Sequence, residues 1–164
     1  MGVAMFKRAL LFIAFLQSSM ALANDCYKAD IGTCAVERSM LAATNNFRAQ
    51  NGLPPLQYKR ELQWSARKWS ESMAATGRIS HDGFPTTRNQ TIVLEFPASN
   101  LQVQGENVAW FSGYKPGDFG QFFVGLWIGS AGHRANMLRN WRYVGMGYAR
   151  DSKGGHYATQ NFSW

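Results

Sequence analysis

Residues 143–164, YVGMGYARDSKGGHYATQNFSW, decide how the rest of the chain is read. Val144, Met146 and Tyr148 recur at every second position, the period of a strand with one buried face. Tyr157, Thr159 and Asn161 then alternate with Ala158, Gln160 and Phe162. Between the two runs Asp151 to Gly155, DSKGG, has the composition of a turn, so the pair predicts an antiparallel hairpin. His156, beside Gly154-Gly155, is expected to be exposed in that turn.

Upstream, the period changes to that of helices. Met40, Ala43 and Phe47 predict a helix over Ser39–Asn51, stopped by Asn51-Gly52 and Pro54-Pro55. A second helix is expected at about Gln57–Thr76, where Leu62, Ala66, Trp69 and Met73 form one apolar stripe. Lys59, Arg60, Arg67 and Lys68 lie opposite it, and Gly77 is the C-terminal stop. Trp69 reads as core. Residues 82–104 predict a polar loop, punctuated by Gly83, Pro85 and Pro97, around a short apolar run from Ile92 to Phe96. A third helix begins after Asp118, a good N-cap, and carries Phe119, Phe122, Phe123 and Leu126 to about Ser130. Helices first and strands last, in one small domain, predict an α+β fold.

The first 23 residues read as an export signal, with Lys7 and Arg8 ahead of an apolar run from Ala9 to Leu16. The segment closes on Ala21-Leu22-Ala23, which predicts cleavage after Ala23 and a secreted or periplasmic protein. The apolar run is too short to span about 30 Å of hydrocarbon, so no transmembrane anchor is expected. Asp25 before Cys26 argues against lipid attachment there. The remaining chain suffices for one domain with its own core and not for two.

Losing Lys7 and Arg8 lowers the formal charge from +7 to +5. A mild basic excess suits cell wall or phospholipid headgroups, while cations scattered singly give no nucleic-acid signature. In an oxidising compartment Cys26 and Cys34 are expected to pair, stapling an N-terminal arm over 24–38.

Polar residues in conspicuous settings are few: His81 in ISHDGF, Glu106 in GENVAW and His133 in GSAGHRANML. With NNFRAQNGLPPL, WSARKWSESMAATGRISHD, LWIGSAGHRANML, VGMGYA and YATQNFSW, they resemble the CAP superfamily, and SAGHRANML its bacterial branch. That group comprises cysteine-rich secretory proteins, antigen 5 proteins and pathogenesis-related class 1 proteins. The resemblance covers about Ser39 to Trp164 and implies a single three-layer α-β-α sandwich with a cleft of two histidines and two acids.

His81, Glu106 and His133 match three of those four positions, with Asn107 and Ser130 lining the same cleft. Ser130 stands where the second acid is expected, three residues before His133. Two imidazoles, His81 and His133, could hold Zn2+ or another divalent metal, with Glu106 as a ligand or as a base on a bound water. The expectation that follows is a monomeric secreted protein binding a lipid or sterol, a peptide or cell-wall material, rather than an enzyme. A metal-assisted, peptidase-like hydrolase using His81, Glu106 and His133 is the alternative.

Overall fold

The computed structural model describes residues 26–164; the expected export segment and the expected cleavage after Ala23 lie outside the described residues. Helix α1 spans Ile31–Gln50 and starts eight residues before the expected Ser39. Its N-cap is Asp30, whose carboxylate accepts from the backbone N–H groups of Gly32 and Thr33 at 2.9 and 3.0 Å. Cys34 therefore lies within the helix, bonded to Cys26 with 5.5 Å between the Cα atoms. The segment expected as an N-terminal arm over 24–38 is helical from Ile31 onward.

Strand β1 is Gln57–Tyr58 and α2 follows at Arg60–Thr76, ending on Gly77 with φ 66°. The expected helix start at Gln57 is corrected because residues 57 and 58 pair parallel with Tyr143 and Val144. Helix α3, Thr86–Glu95, replaces much of the expected loop. Arg88 and Ile92 are its buried residues, so it carries no apolar stripe for periodicity to detect. Strand β2 is Gly105–Phe111, α4 is Phe119–Gly129 and α5 is Ala131–Met137. Asp118 caps α4 as expected, accepting from Gln121 N at 2.9 Å. Strands β3, Tyr143–Arg150, and β4, His156–Ser163, form the hairpin that the alternation predicts.

The sheet order is β1-β3-β4-β2, antiparallel except for β1–β3. Helices α1 and α4 pack together on one face, and α2 and α3 on the other, which makes an α-β-α sandwich. Val144 faces Phe162 and Met146 faces Gln160 across the hairpin. The apolar members of these pairs meet Met40, Phe123 and Trp127, all fully buried. On the other face α2 lies directly on strand backbone. A Cβ on Gly145 would stand 2.0 Å from Gln63 N, and one on Gly147 would stand 2.1 Å from Ala66 C. Those two glycines set the distance between helix and sheet.

Two residues depart from their expected exposure. Arg67, expected on the outer face of α2, is buried and pairs with Glu37 of α1 at 2.6 Å. Because β1 is only two residues long, β3 has an uncovered edge, and Glu37 also accepts from Tyr148 N there at 3.2 Å. His156, expected exposed, is only 8% accessible. It begins β4 instead of sitting in the turn, and its ring stacks on Phe111 with centroids 4.9 Å apart.

Candidate functional site

Strand β2 ends the sheet, so residues on both of its faces reach a common open edge. Glu106 pairs in register with Asn161 on the α2 side, and its side chain is 1% exposed. The loop after α2 brings His81 to it, with Nδ1 2.8 Å from Glu106 Oε1. Trp69 fixes that loop by donating Nε1–H to the Ser80 carbonyl at 2.9 Å, so it is partly buried structure with a polar tether.

The largest local charge opposite Glu106 is one that pattern reading did not find. Arg88 of α3 donates Nε to Oε2 at 2.6 Å and a terminal nitrogen to Oε1 at 2.8 Å, a two-point clamp. Its other terminal nitrogen donates to the Asp82 carbonyl at 2.9 Å, and its guanidinium carbon lies 3.3 Å from the Trp69 ring centroid. Arg88 and Glu106 are each 1% exposed at the side chain, whereas His81 is 50% exposed. Both carboxylate oxygens are thus committed, and His81, donating through Nδ1, keeps Nε2 for a ligand.

His133 arrives from α5. Asn107 Nδ2 donates to the His133 carbonyl at 3.2 Å and to Gln160 Oε1 at 2.9 Å. Asn136 Nδ2 donates to the Glu106 carbonyl at 3.2 Å and to Asn107 Oδ1 at 3.0 Å. This amide network pins α5 to the strand edge. Between them lies a cleft of about 430 Å³ bordered by Glu106, Asn107, His133, Asn136 and Arg139. Burial, followed by the nearby His81 charge, pulls His133 below its ordinary value, so its ring is a neutral donor or ligand at pH 7.

Ser130 joins α4 to α5 as the cap residue of both helices. It does not border that cleft, and among the described residues no hydrogen bond joins it to His133. The structure therefore brings Glu106 to His81 and places Glu106, Asn107 and His133 around one cavity. Arg88 and Asn136 are the members that sequence reasoning missed. Asn136 could have been found from its position three residues after His133 on one helix; Arg88 had no signal in a segment read as loop.

A resident zinc would need about three protein ligands. Two imidazoles are candidates, but the carboxylate beside His81 is held by Arg88. Among the described residues no group of three or more His, Cys, Asp and Glu side chains is arranged to hold an ion. The donor set does not fit a permanent metal centre.

Comparison with known proteins bears on the whole chain. The sequence model of the cysteine-rich secretory protein family matches residues 41–162. The chain is 31% identical over 140 residues to the Bacillus subtilis protein YkwD, covering 85% of this chain and 51% of that protein. It therefore spans about half the length of that relative. It is 26% identical over 125 residues to the human Golgi-associated plant pathogenesis-related protein 1, covering 75% of this chain and 79% of the human one.

Among solved structures, an outer surface protein of Borrelia burgdorferi superposes with TM-score 0.60 at 16% identity, over 78% of this chain and 91% of that one. An extracellular protein of Bacillus anthracis containing an SCP domain gives TM-score 0.58 at 21% identity, over 80% of this chain and 41% of that one. At these identities the two structures speak to the fold alone, and both share it. With the family match spanning most of a sandwich built as that fold requires, the chain belongs to the cysteine-rich secretory protein (CAP) family.

Proposed function

We propose that this CAP-domain protein is exported and that the cleft bordered by Glu106 and His133, whose border does not include the His81 that pairs with Glu106, binds a polar ligand without hydrolysing it. The ligand class is a peptide or a peptide-bearing cell-wall fragment. The observation that carries this reading is the Arg88 clamp on Glu106. A general base or metal ligand needs a free carboxylate oxygen, and a carboxylate satisfied by an arginine and an imidazole has given that capacity up. Ser130 in place of a second acid removes the other source of negative charge.

The cleft border supports the ligand class. The Asn136 amide oxygen, the His133 ring and Arg139 offer amide, imidazole and guanidinium groups, and no large apolar side chain lines it. Such a surface suits peptide carbonyls, amides and carboxylates better than a sterol ring or an acyl chain. The groove of about 330 Å³ between α1 and α4 is no apolar slot either, since Ser39, Asn46, Gln50 and Gln121 line it beside Ala43, Phe47, Val124 and Ile128. Export is supported by the signal-like segment, by the family's secretory description and by the extracellular relative of known structure.

The test is binding of soluble peptidoglycan-derived peptides to the wild-type protein and to His133→Ala and Asn136→Ala, measured by calorimetry. Binding that weakens at least several-fold in both variants supports the reading. Equal binding by all three proteins, or no binding by the wild type, overturns it.

A further inference from the structure

A second cavity lies far from the cleft, at the opposite end of the sheet. Glu106 pairs with Asn161 and Phe111 with His156, so the two places are five residues apart along β2, roughly 17 Å at the rise of a strand. This cavity, of about 540 Å³, opens between the start of α1, the start of α4 and the end of β3. Its border includes His156, Tyr148, Arg150, Phe119, Val36 and Asp30.

His156 is the informative residue. The residue is more than nine-tenths buried and lines the cavity, and its ring lies 4.9 Å from Phe111 at 15° and 4.7 Å from Phe119. Its Nδ1 is 2.7 Å from the Tyr148 hydroxyl. Among the described residues that phenol has no other partner, so its proton is used only if it donates to Nδ1. Burial keeps the phenol protonated and the imidazole neutral. The imidazole proton then sits on Nε2, which has no partner among the described residues. That N–H belongs to a residue lining the cavity and meets no acceptor among the described residues, so it is open to an acceptor that a ligand brings.

The surroundings say what kind of acceptor. Arg150 is exposed at the cavity border and makes no ion pair among the described residues. Asp30 is the opposing charge, but its carboxylate caps α1 through two backbone N–H groups, and those bonds offset its field. The remaining walls, Phe119 and Val36, are apolar. We propose that this cavity is a second ligand site, for a small carboxylate with an apolar body, whose oxygens take hydrogen bonds from His156 Nε2 and Arg150. The apolar body rests on Phe119 and Val36. Nothing in this proposal depends on the histidine cleft.

Phenylacetate is a suitable probe, with phenethylamine and phenylacetamide as cationic and neutral counterparts. Imidazole resonances of the full-length mature protein are followed by NMR as each is added. Phenylacetate is expected to shift His156 and leave His81 and His133 in place. Arg150→Gln, at an exposed position, should lower its affinity about ten-fold, the scale of one charge-assisted hydrogen bond. Tyr148→Phe should also weaken it by freeing the imidazole to place its proton on Nδ1. If phenethylamine or phenylacetamide binds as well as phenylacetate, Asp30 or the apolar walls govern the cavity and the proposal fails. It fails equally if phenylacetate moves no His156 signal, or if Arg150→Gln binds as the wild type does.

Discussion

Replacing Arg88 with methionine tests the clamp on which the reading of the cleft depends. In the native structure Glu106 faces two guanidinium nitrogens at 2.6 and 2.8 Å, with both side chains 1% exposed. Methionine fills most of the space over the Trp69 ring but leaves a buried carboxylate with only His81 and Asn161 beside it. Breaking a buried pair from one side costs about 3–5 kcal/mol, because the surviving charge has no counterpart. For a domain of this size, 1 kcal/mol shifts Tm by about 3 °C, so Arg88→Met should melt roughly 10–15 °C below wild type.

The double variant Arg88→Met/Glu106→Gln removes the stranded charge and should recover more than half of that loss. Thermal and urea denaturation of wild type, Arg88→Met, Glu106→Gln and the double variant give the coupling energy directly. A single variant within about 1 kcal/mol of wild type, or additive losses in the double variant, would refute the clamp. Glu106 would then be free for the chemistry denied to it here.

The remaining predictions concern the frame. Gly147→Ala sets a Cβ 2.1 Å from α2 backbone and should cost more than about 3 kcal/mol, readable as a large drop in urea midpoint; a near-neutral variant would mean that α2 is not so closely seated. Replacing Cys26 and Cys34 by serine should cost only about 2–3 kcal/mol, since the loop is short and Tyr27 still donates to Glu95 and accepts from Arg67. Complete unfolding of that variant would assign the bond a larger role. Burial lowers His133 and His156 below their ordinary value, so the unfolded chain takes up protons first as pH falls. Their contribution is complete above about pH 6.5 and is lost below it; Glu37, pushed up to about 7 by burial, titrates in the same window with the opposite sign, so the histidine share is read by comparing proteins that both keep Glu37. A His133→Gln/His156→Gln protein should show a flatter profile between about pH 5 and 6.5; an unchanged slope would contradict the assignment.

Much of the architecture was legible because it depends on periods. The hairpin follows from two alternating runs about a DSKGG turn, and α4 from Asp118 and its phenylalanines. Helix α3 was not legible: it buries an arginine and an isoleucine rather than a stripe, and its composition is that of a loop. The early start of α1 was written in Asp30, a capping residue overshadowed by the nearby cysteines. At the candidate site, the family resemblance pointed to His81, Glu106 and His133, but not to the partner of Glu106. A buried arginine eighteen residues upstream is paired by tertiary packing alone, and no local pattern announces it. His156 was misread because glycines before it suggested a turn, whereas its ring is needed to pack Phe111 and Phe119.

The central claim is that the cleft binds without a resident metal and without hydrolysis. The most direct measurement is a calorimetric zinc titration of wild type, Ser130→Glu and His81→Ala/His133→Ala. The same samples are incubated with peptidoglycan-derived peptides and scanned for cleavage by mass spectrometry. The account predicts weak zinc binding by wild type, lost without the two histidines and left weak by Ser130→Glu because residue 130 lies off the cleft border, and intact peptides in every wild-type sample. Tight zinc binding by wild type together with zinc-dependent peptide cleavage that vanishes in the histidine variant would contradict it.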